Sequence, residues 1–218
     1  MKFNSVVFDL DGTLLDTLGD LRDSVNFALE KNGLPKRTTE EIRSFVGNGI
    51  RLLIERSVPK NASIEIIDKC FSEFKEYYKD HSAILTKPYD GIIDLMKELK
   101  SKGIKIAVVS NKADFAVKTL MEDYFKGLYD CAYGERVGVP RKPVPDSVFG
   151  AISEMGAEIE NTVYIGDSEV DVETSKNANL PCIAVTWGFR DKEVLESLNP
   201  EYIVDSPSDI LRIIERGI

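Results

Sequence analysis

The feature that most constrains the fold is residues 6–14, VVFDLDGTL, where an apolar run ends in two aspartates separated by one residue. An unbroken run of β-branched and aromatic residues is typical of a strand buried on both faces. Side chains two residues apart leave the same side of an extended chain, so Asp9 and Asp11 are expected to converge where the strand ends. Gly12 lets the chain turn away there without a Cβ clash.

This acidic strand end is compatible with more than one role. Two convergent carboxylates at the carboxyl end of a parallel strand suit a divalent cation, a nucleophile beside an acid/base, or both. A turn in which an aspartate caps the following helix would also account for this segment alone. The segment therefore predicts a strand and leaves open what its acidic end does.

Three later segments place polar groups where predicted strands end or helices begin. Residues 104–109, IKIAVV, and 162–165, TVYI, are strand patterns, and residues 141–143, RKP, precede a predicted helix. The polar side chains at these points are Ser110, Asn111, Lys142, Asp167 and Asp171. A doubly wound sheet gathers its ligand groups at the edge where strands end and helices begin. A phosphate site is therefore predicted there, with a hydroxyl and an ammonium for anionic oxygens and carboxylates for a cation.

The pattern from about residue 90 onward alternates between strand and helix. It predicts strands near 104–109, 130–133, 162–165, 182–185 and 202–204, and helices near 92–101, 113–126 and 168–178, after Pro145 and at the end of the chain. Repeated strand–helix alternation is typical of an α/β fold with a doubly wound parallel sheet.

Residues 16–86 interrupt this alternation with helical patterns. Thr38 with Glu41 predicts a capping box, and apolar residues recur at helical spacing at Ile64, Ile67, Phe71, Phe74 and Tyr78. We therefore predict an α/β catalytic core over residues 1–15 and 87–218, with an inserted α-helical cap domain over residues 16–86. The alternative is a set of extra helices packed on the sheet with no role as a lid.

Composition excludes some partners. The 218 residues carry a formal net charge of −9, so we expect no nucleic-acid partner and no membrane partner. The three cysteines are far apart and show neither zinc nor redox-motif spacing. Asp9 and Asp11 interrupt the early apolar run, which is unlike a signal peptide. These features predict a cytoplasmic protein.

Four short segments, taken in order, resemble the four motifs of the haloacid dehalogenase-like hydrolase superfamily. They are residues 9–14 (DLDGTL), Ser110-Asn111, Lys142-Pro143 and residues 166–171 (GDSEVD). Residues 46–49 (VGNG) and 186–188 (TWG) are most similar to the phosphoglycolate phosphatase branch. The resemblance spans nearly the whole chain and implies a Rossmann-like core with a helical cap that closes over the site.

The resemblance also implies a role for each motif residue in a Mg²⁺-dependent phosphatase. Asp9 would attack phosphorus to form an aspartyl phosphate, and Asp11 would protonate the leaving oxygen and later activate water. The implied metal ligands are the side chains of Asp9 and Asp167 and the backbone carbonyl of Asp11, with Asp171 acting through water or a hydrogen bond. The implied phosphate ligands are Ser110, the backbone amide of Asn111, and Lys142.

The predicted substrate is a small phosphorylated metabolite, with 2-phosphoglycolate as the named candidate, and the predicted state is a monomer or homodimer. In the cap, Asn48 and Arg51 are candidates to select the leaving group, because the glycines at 47 and 49 permit close approach. An ordinary helix-surface charge is the alternative for Arg51.

Two other functions stay open on the same fold. A sugar-phosphate mutase of this superfamily would carry a histidine shortly after the paired aspartates, and residues 15–19, LDTLG, contain none. A non-catalytic binding module would not need the acidic residues that the first and fourth motifs retain.

Overall fold

A computed structural model describes residues 2–216, and its centre is a six-stranded parallel sheet. The strands of the chain are β1 (Ser5–Phe8), β2 (Leu15–Asp16), β3 (Lys87–Pro88), β4 (Lys105–Ala113), β5 (Cys131–Glu135), β6 (Thr162–Gly166), β7 (Cys182–Val185) and β8 (Tyr202–Val204). The sheet has the order β5-β4-β1-β6-β7-β8, and β2 pairs antiparallel with β3 outside it. The predicted doubly wound α/β fold is confirmed.

Strand β1 lies between β4 and β6 at the middle of the sheet. Phe8 is in register with Val108 of β4 and Ile165 of β6, so β1 and β6 end side by side while β4 continues to Ala113. From β1 the chain builds one half of the sheet through β4 and β5, and then returns to build the other half through β6, β7 and β8. The carboxyl end of β1 therefore lies at the topological switch point, where open α/β sheets bind ligands.

Helices cover both faces of this sheet. They are α5 (Ile92–Ser101), α6 (Asp114–Phe125), α7 (Asp146–Glu154), α8 (Glu169–Asn177), α9 (Lys192–Ser197) and α10 (Pro207–Arg216), with a 3₁₀ turn at Ile159–Asn161. Successive residues of β1 point to opposite faces. Val6 and Phe8 accordingly belong to one apolar cluster, whereas Val7 belongs to another.

Four helices form an insert between β2 and β3, here called the helical insert. They are α1 (Leu18–Lys31), α2 (Thr39–Phe45), α3 (Ile50–Ser57) and α4 (Ile64–His81). The insert has its own apolar cluster, which also contains Phe189 from the loop after β7. The predicted boundaries at residues 16 and 86 fall beside the β2–β3 pair, and the division into core and cap stays a prediction.

Local signals in the insert are confirmed in part. Thr38 and Glu41 form the predicted capping box at the start of α2. On α4, Phe74 and Tyr78 are buried as predicted, whereas Ile64 is 71% exposed. The Ala28 carbonyl near the end of α1 accepts from the Cys70 thiol in the middle of α4. The first turn of α4 therefore extends beyond the end of α1.

Other differences lie where strands meet loops. Strand β4 continues to Ala113, and its pairing with β5 is irregular between Val109 and Ala113. Ser110 and Asn111 therefore lie in the irregular end of a strand rather than after it. The β2–β3 pair and α9 were not predicted. For the strand pair the reason is that two residues pairing between distant segments leave no local pattern. Within residues 2–216, no helix combines the length and apolarity needed to cross a membrane.

Candidate active site

The turn after β1 holds the two paired aspartates at the edge of the sheet. The Asp9 amide donates to the Ile165 carbonyl at 2.9 Å, which continues the pairing of β1 with β6. Asp9 is 7% exposed, and Asp11 is partly buried. Gly12 has φ +92°, and a Cβ on it would lie 2.4 Å from an Asp167 carboxylate oxygen. Both the backbone conformation and the space therefore require glycine there.

Lys142 lies at the centre of the site with its ammonium surrounded by acceptors. Its Nζ donates to Asp9 Oδ1 at 2.8 Å, to Asp171 Oδ1 at 2.8 Å and to the Tyr164 hydroxyl at 2.9 Å. Burial alone would lower the pKa of Lys142, but the carboxylates of Asp171 and Asp9 raise it well above its usual range. The ammonium is therefore charged and fixed against the carboxylate predicted to be the nucleophile.

Asp171 is tied entirely to neighbouring groups of the protein. Its Oδ2 accepts from the Asp167 amide at 3.2 Å, the Ser168 amide at 3.1 Å and the Ser168 hydroxyl at 2.6 Å. Its Oδ1 accepts from Lys142 and from the Tyr164 hydroxyl. Asp171 thus caps α8 and positions Lys142, which agrees with the expected hydrogen-bonding role.

The loop after β7 closes around Asp167. Asp167 Oδ1 accepts from the Thr13 hydroxyl at 3.1 Å, and Oδ2 accepts from the Phe189 amide at 2.7 Å. A Cβ on Gly188 would lie 2.3 Å from the Cβ of Asp167, so only glycine permits this approach. Burial raises the pKa of Asp167 well above its usual range, and the charge of Asp171 acts in the same direction.

Asp9, Asp167 and Asp171 bring carboxylate oxygens within 4.8 Å of one another. Burial raises the pKa of Asp9 to about 7 despite the opposing effect of Lys142. Burial is the largest cause of the raised pKa values of Asp9 and Asp167, and the nearby charge of Asp171 raises both further, so a bound cation would favour the ionised carboxylates. Hard oxygen ligands with uncompensated negative charge suit a divalent cation such as Mg²⁺. The donor set therefore fits the expected metal.

Ser110 and Asn111 lie at the end of β4 beside these carboxylates. Ser110 is buried, faces the cavity, and its hydroxyl accepts from the Lys112 amide at 3.3 Å. The Asn111 side chain donates to the Lys142 carbonyl at 3.0 Å and to the Gly47 carbonyl at 3.1 Å. It also accepts from the Lys142 amide at 2.9 Å. Asn111 thus joins the loop that carries Lys142 to the helical insert.

A cavity of about 620 Å³, counted to its opening, separates the sheet edge from the helical insert. Charged and polar residues line its sheet side, namely Asp9, Asp11, Ser110, Asn111, Lys112, Lys142, Asp167, Ser168 and Asp171. The insert contributes four apolar side chains, called here the insert wall: Leu21, Val46, Ile50 and Leu53. The predicted core residues therefore converge on one cavity.

Three polar residues of this region were not predicted from the sequence. Lys112 donates from Nζ to Asp11 Oδ1 at 2.9 Å and to the Tyr78 hydroxyl at 2.5 Å. Its position two residues after Ser110, on the same strand face, was a usable signal. Tyr78 and Tyr164 lie in apolar helix and strand patterns that explain them as core residues, so neither hydroxyl could be anticipated.

The two residues predicted to select the leaving group point elsewhere. Arg51 donates to Glu55 at 2.8 Å and to Asp68 at 2.5 Å on the outer surface of the insert. The Asn48 side chain accepts from Arg56 at 3.0 Å. Among the cavity-lining residues of the described chain, neither Asn48 nor Arg51 is present. Their role stays a prediction, and these contacts do not support it.

A model of the family described as haloacid dehalogenase-like hydrolase matches residues 6–185. The chain is 29% identical over 214 residues to a phosphoglycolate phosphatase of Aquifex aeolicus, covering 98% of this chain and 97% of that protein. It is 32% identical over 212 residues to phosphoglycolate phosphatase 1 of Pseudomonas aeruginosa, covering 94% and 78%.

Solved structures agree with the sequence relatives. A crystal structure from Lactobacillus delbrueckii subsp. bulgaricus, of a protein provisionally named phosphoglycolate phosphatase, superposes with a TM-score of 0.94. The two chains are 37% identical, and the match covers 98% of this chain and 99% of the other. The similarity therefore includes both the sheet and the helical insert.

Proposed function

Because this chain belongs to the haloacid dehalogenase-like hydrolase family, we propose that it is a Mg²⁺-dependent phosphatase of small phosphomonoesters. The observation that carries the proposal is the contact between Lys142 and Asp9 inside a buried acidic cluster. A strand-end carboxylate that is bound to an ammonium and lines a cavity can act as a nucleophile toward an anionic group. The relatives named phosphoglycolate phosphatase support the same function.

The first chemical step uses the two paired aspartates. Asp9 attacks phosphorus, the bond from phosphorus to the ester oxygen breaks, and Asp11 gives its proton to that oxygen as the alcohol leaves. Lys142 holds Asp9 Oδ1, which leaves Oδ2 for the attack. The product of this step is an aspartyl phosphate.

The second step restores the enzyme. Asp11 takes a proton from a water molecule, the oxygen of that water attacks phosphorus, and the bond from phosphorus to Asp9 breaks to release inorganic phosphate. Removal of Asp11 would therefore slow both steps.

Charge repulsion is the main barrier to bringing a phosphate dianion to these carboxylates. The side chains of Asp9 and Asp167 and the carbonyl of Asp11 would hold Mg²⁺, which supplies neutralising charge when bound. Lys142 provides a fixed cation, and Ser110 a hydroxyl for a phosphoryl oxygen. Asp171 keeps Lys142 in place rather than binding substrate.

The proposed substrate is a small phosphorylated metabolite, with 2-phosphoglycolate as the leading candidate. Asp9, Ser110 and Lys142 on the sheet side recognise features that every phosphate ester shares, so discrimination must come from other residues that line the cavity. The insert wall faces the sheet side across the cavity and is therefore placed to limit the size of the leaving group. Nucleic acid and membranes are not proposed as partners, and monomer or homodimer remains the expected state.

The experiment that tests this function is a panel of phosphate esters with Mg²⁺ and with excess chelator. We expect release of phosphate from small esters with Mg²⁺, no release with chelator, and recovery when Mg²⁺ is restored. Lys100→Met, which removes an exposed cation paired with Asp130 far from the cavity, is a matched control for Lys142→Met. Full activity in excess chelator, or equal activity of these two variants, would contradict the proposal.

A further inference from the structure

We propose that Lys112, together with Tyr78, binds a carboxylate on the leaving group of the substrate, which makes a small phosphorylated carboxylic acid the preferred substrate class. This inference rests on the phosphatase function proposed above. In the mechanism described there the Lys112 ammonium holds Asp11 but does not contact the substrate, although its side chain is only 2% exposed and faces the cavity. Asp11 compensates the buried charge of Lys112, and an ammonium that faces a cavity can bind a second anionic group there.

The position of Lys112 places it beside the leaving group. Its Nζ lies 2.9 Å from Asp11 Oδ1, and Asp11 is the group that protonates the ester oxygen. A carboxylate that reaches Lys112 must therefore lie within a few bonds of that oxygen. This geometry favours a short acid over a sugar or a nucleotide.

Lys112 and Tyr78 each have a hydrogen-bond donor to spare. An ammonium has three N–H donors, and within the described residues Lys112 uses two, toward Asp11 and the Tyr78 hydroxyl. The Tyr78 oxygen accepts from Lys112, so its own hydrogen is free to donate. Burial raises the pKa of Tyr78 to about 12, which keeps that hydrogen in place. A carboxylate has two oxygens and can accept from both residues.

Lys142 and Arg190, the other cations that line the cavity, are bound to groups other than Asp11. Lys142 donates to three oxygens of the phosphoryl end. Arg190 forms an ion pair with Glu169 and also donates to the carbonyls of Arg43 and Val46. Lys112 is therefore the cation best placed to bind an anionic leaving group.

The insert wall offers no partner for a carboxylate. Its four side chains are apolar and cannot compensate a carboxylate. An acidic leaving group bound against them alone would lose its hydration without replacement. Beside Lys112 and Tyr78 the same group gains a charge-assisted hydrogen bond and a hydroxyl donor.

The test compares two esters of nearly equal size, 2-phosphoglycolate and 2-hydroxyethyl phosphate, which differ in the carboxylate. We expect wild type to favour 2-phosphoglycolate in kcat/KM. Lys112→Met will slow both esters, because Asp11 loses its partner, but the ratio of the two kcat/KM values isolates the carboxylate. That ratio should fall by about tenfold to a hundredfold. Lys112→Arg should restore part of it.

Tyr78→Phe and Arg51→Met complete the set. Tyr78→Phe keeps both charges and should lower the ratio by about twofold to tenfold, whereas Arg51→Met should leave it unchanged. A wild-type ratio at or below one overturns the proposal, as does an unchanged ratio in Lys112→Met. If Lys112→Met does not fold, an unchanged ratio in Tyr78→Phe overturns it instead. In each of these cases hydrolysis of both esters persists, whereas failure of wild type to hydrolyse either ester with Mg²⁺ overturns the phosphatase function itself.

Discussion

The two sides of the cavity are built on different principles. On the sheet side, carboxylates and ammonium groups hold one another at hydrogen-bond distance in a buried network around Lys142 and Asp171. The insert wall opposite is apolar, and the insert adds one hydroxyl, that of Tyr78. Apart from Lys112, the sheet side is suited to a chemical step common to all phosphate esters, whereas the insert is proposed to control which leaving groups fit. Conserving one side while varying the other would change the substrate without changing the reaction.

The loop after β7 connects the two sides. The Phe189 amide donates to the Asp167 carboxylate, while the Phe189 ring belongs to the apolar cluster of the insert. The next residue, Arg190, donates to the Val46 carbonyl in the insert at 2.8 Å. A shift of the insert would therefore reach a proposed metal ligand through one loop.

The largest effect is expected from Asp9→Asn on the sheet side. An amide cannot form the acyl phosphate, so turnover of every ester should fall on the order of 10⁴-fold or more. Steady-state kinetics with several esters measure this, and thermal unfolding checks that the variant is folded. Near-normal turnover in a preparation free of contaminating phosphatase would show that Asp9 is not the nucleophile.

Asp11→Asn should have the next largest effect, and its size should depend on the leaving group. Loss of the acid/base is expected to slow alkyl esters by about 10²–10⁴-fold. An aryl ester such as 4-nitrophenyl phosphate has a leaving group that departs without a proton, so its first step should suffer less. Equal losses for alkyl and aryl esters in single-turnover measurements would remove Asp11 from the role of acid.

These sheet-side residues were predictable because their signals are local. Asp9, Lys142 and Asp167 each follow a strand pattern or precede a helix pattern, and parallel strand ends must meet at one edge. The insert side offered no such rule. Tyr78 of the insert contacts Lys112 of the sheet across 34 positions of the chain, and a helical apolar pattern does not reveal that the Tyr78 hydroxyl faces a cavity. Arg51 seemed suitable from its glycine-rich neighbourhood, but α3 directs it to Asp68.

Phe189→Ala tests the connection between the two sides. Loss of the buried ring should destabilise the protein by about 3 kcal/mol, and the loosened loop should raise the Mg²⁺ concentration needed for half-maximal activity severalfold. Phe45→Ala removes a partly buried ring from the same cluster and is the matched control. It should lower stability without changing the Mg²⁺ requirement. Equal Mg²⁺ requirements in both variants would show that the loop does not connect the insert to the proposed metal ligand Asp167.

Binding of Mg²⁺ should raise the melting temperature more at about pH 8 than at about pH 5.5. Burial raises the pKa of Asp9 from 3.8 to about 7, so the metal-free folded state binds this proton more tightly than the unfolded state. The resulting stabilisation is present below about pH 4 and is lost as the pH rises through 7. Mg²⁺ and this proton compete for the Asp9 carboxylate. Binding of Mg²⁺ should therefore stabilise the protein most at a pH where the proton is absent. Thermal unfolding with and without Mg²⁺ at both pH values measures the difference, and a larger shift at the acidic pH would contradict it.

The smallest effect is expected from Arg51→Ala. The Arg51 guanidinium is paired with Glu55 and Asp68 at the surface of the insert, where such pairs contribute little to stability. Neither its charge nor its contacts reach the cavity wall, so the kcat/KM for acidic and neutral esters should change by less than about twofold. Leu53→Ala, which enlarges the cavity from the same helix, is the contrasting variant and should admit bulkier esters. A selective loss of acidic substrates in Arg51→Ala would restore the role predicted from sequence and require that α3 rotate toward the cavity when substrate binds.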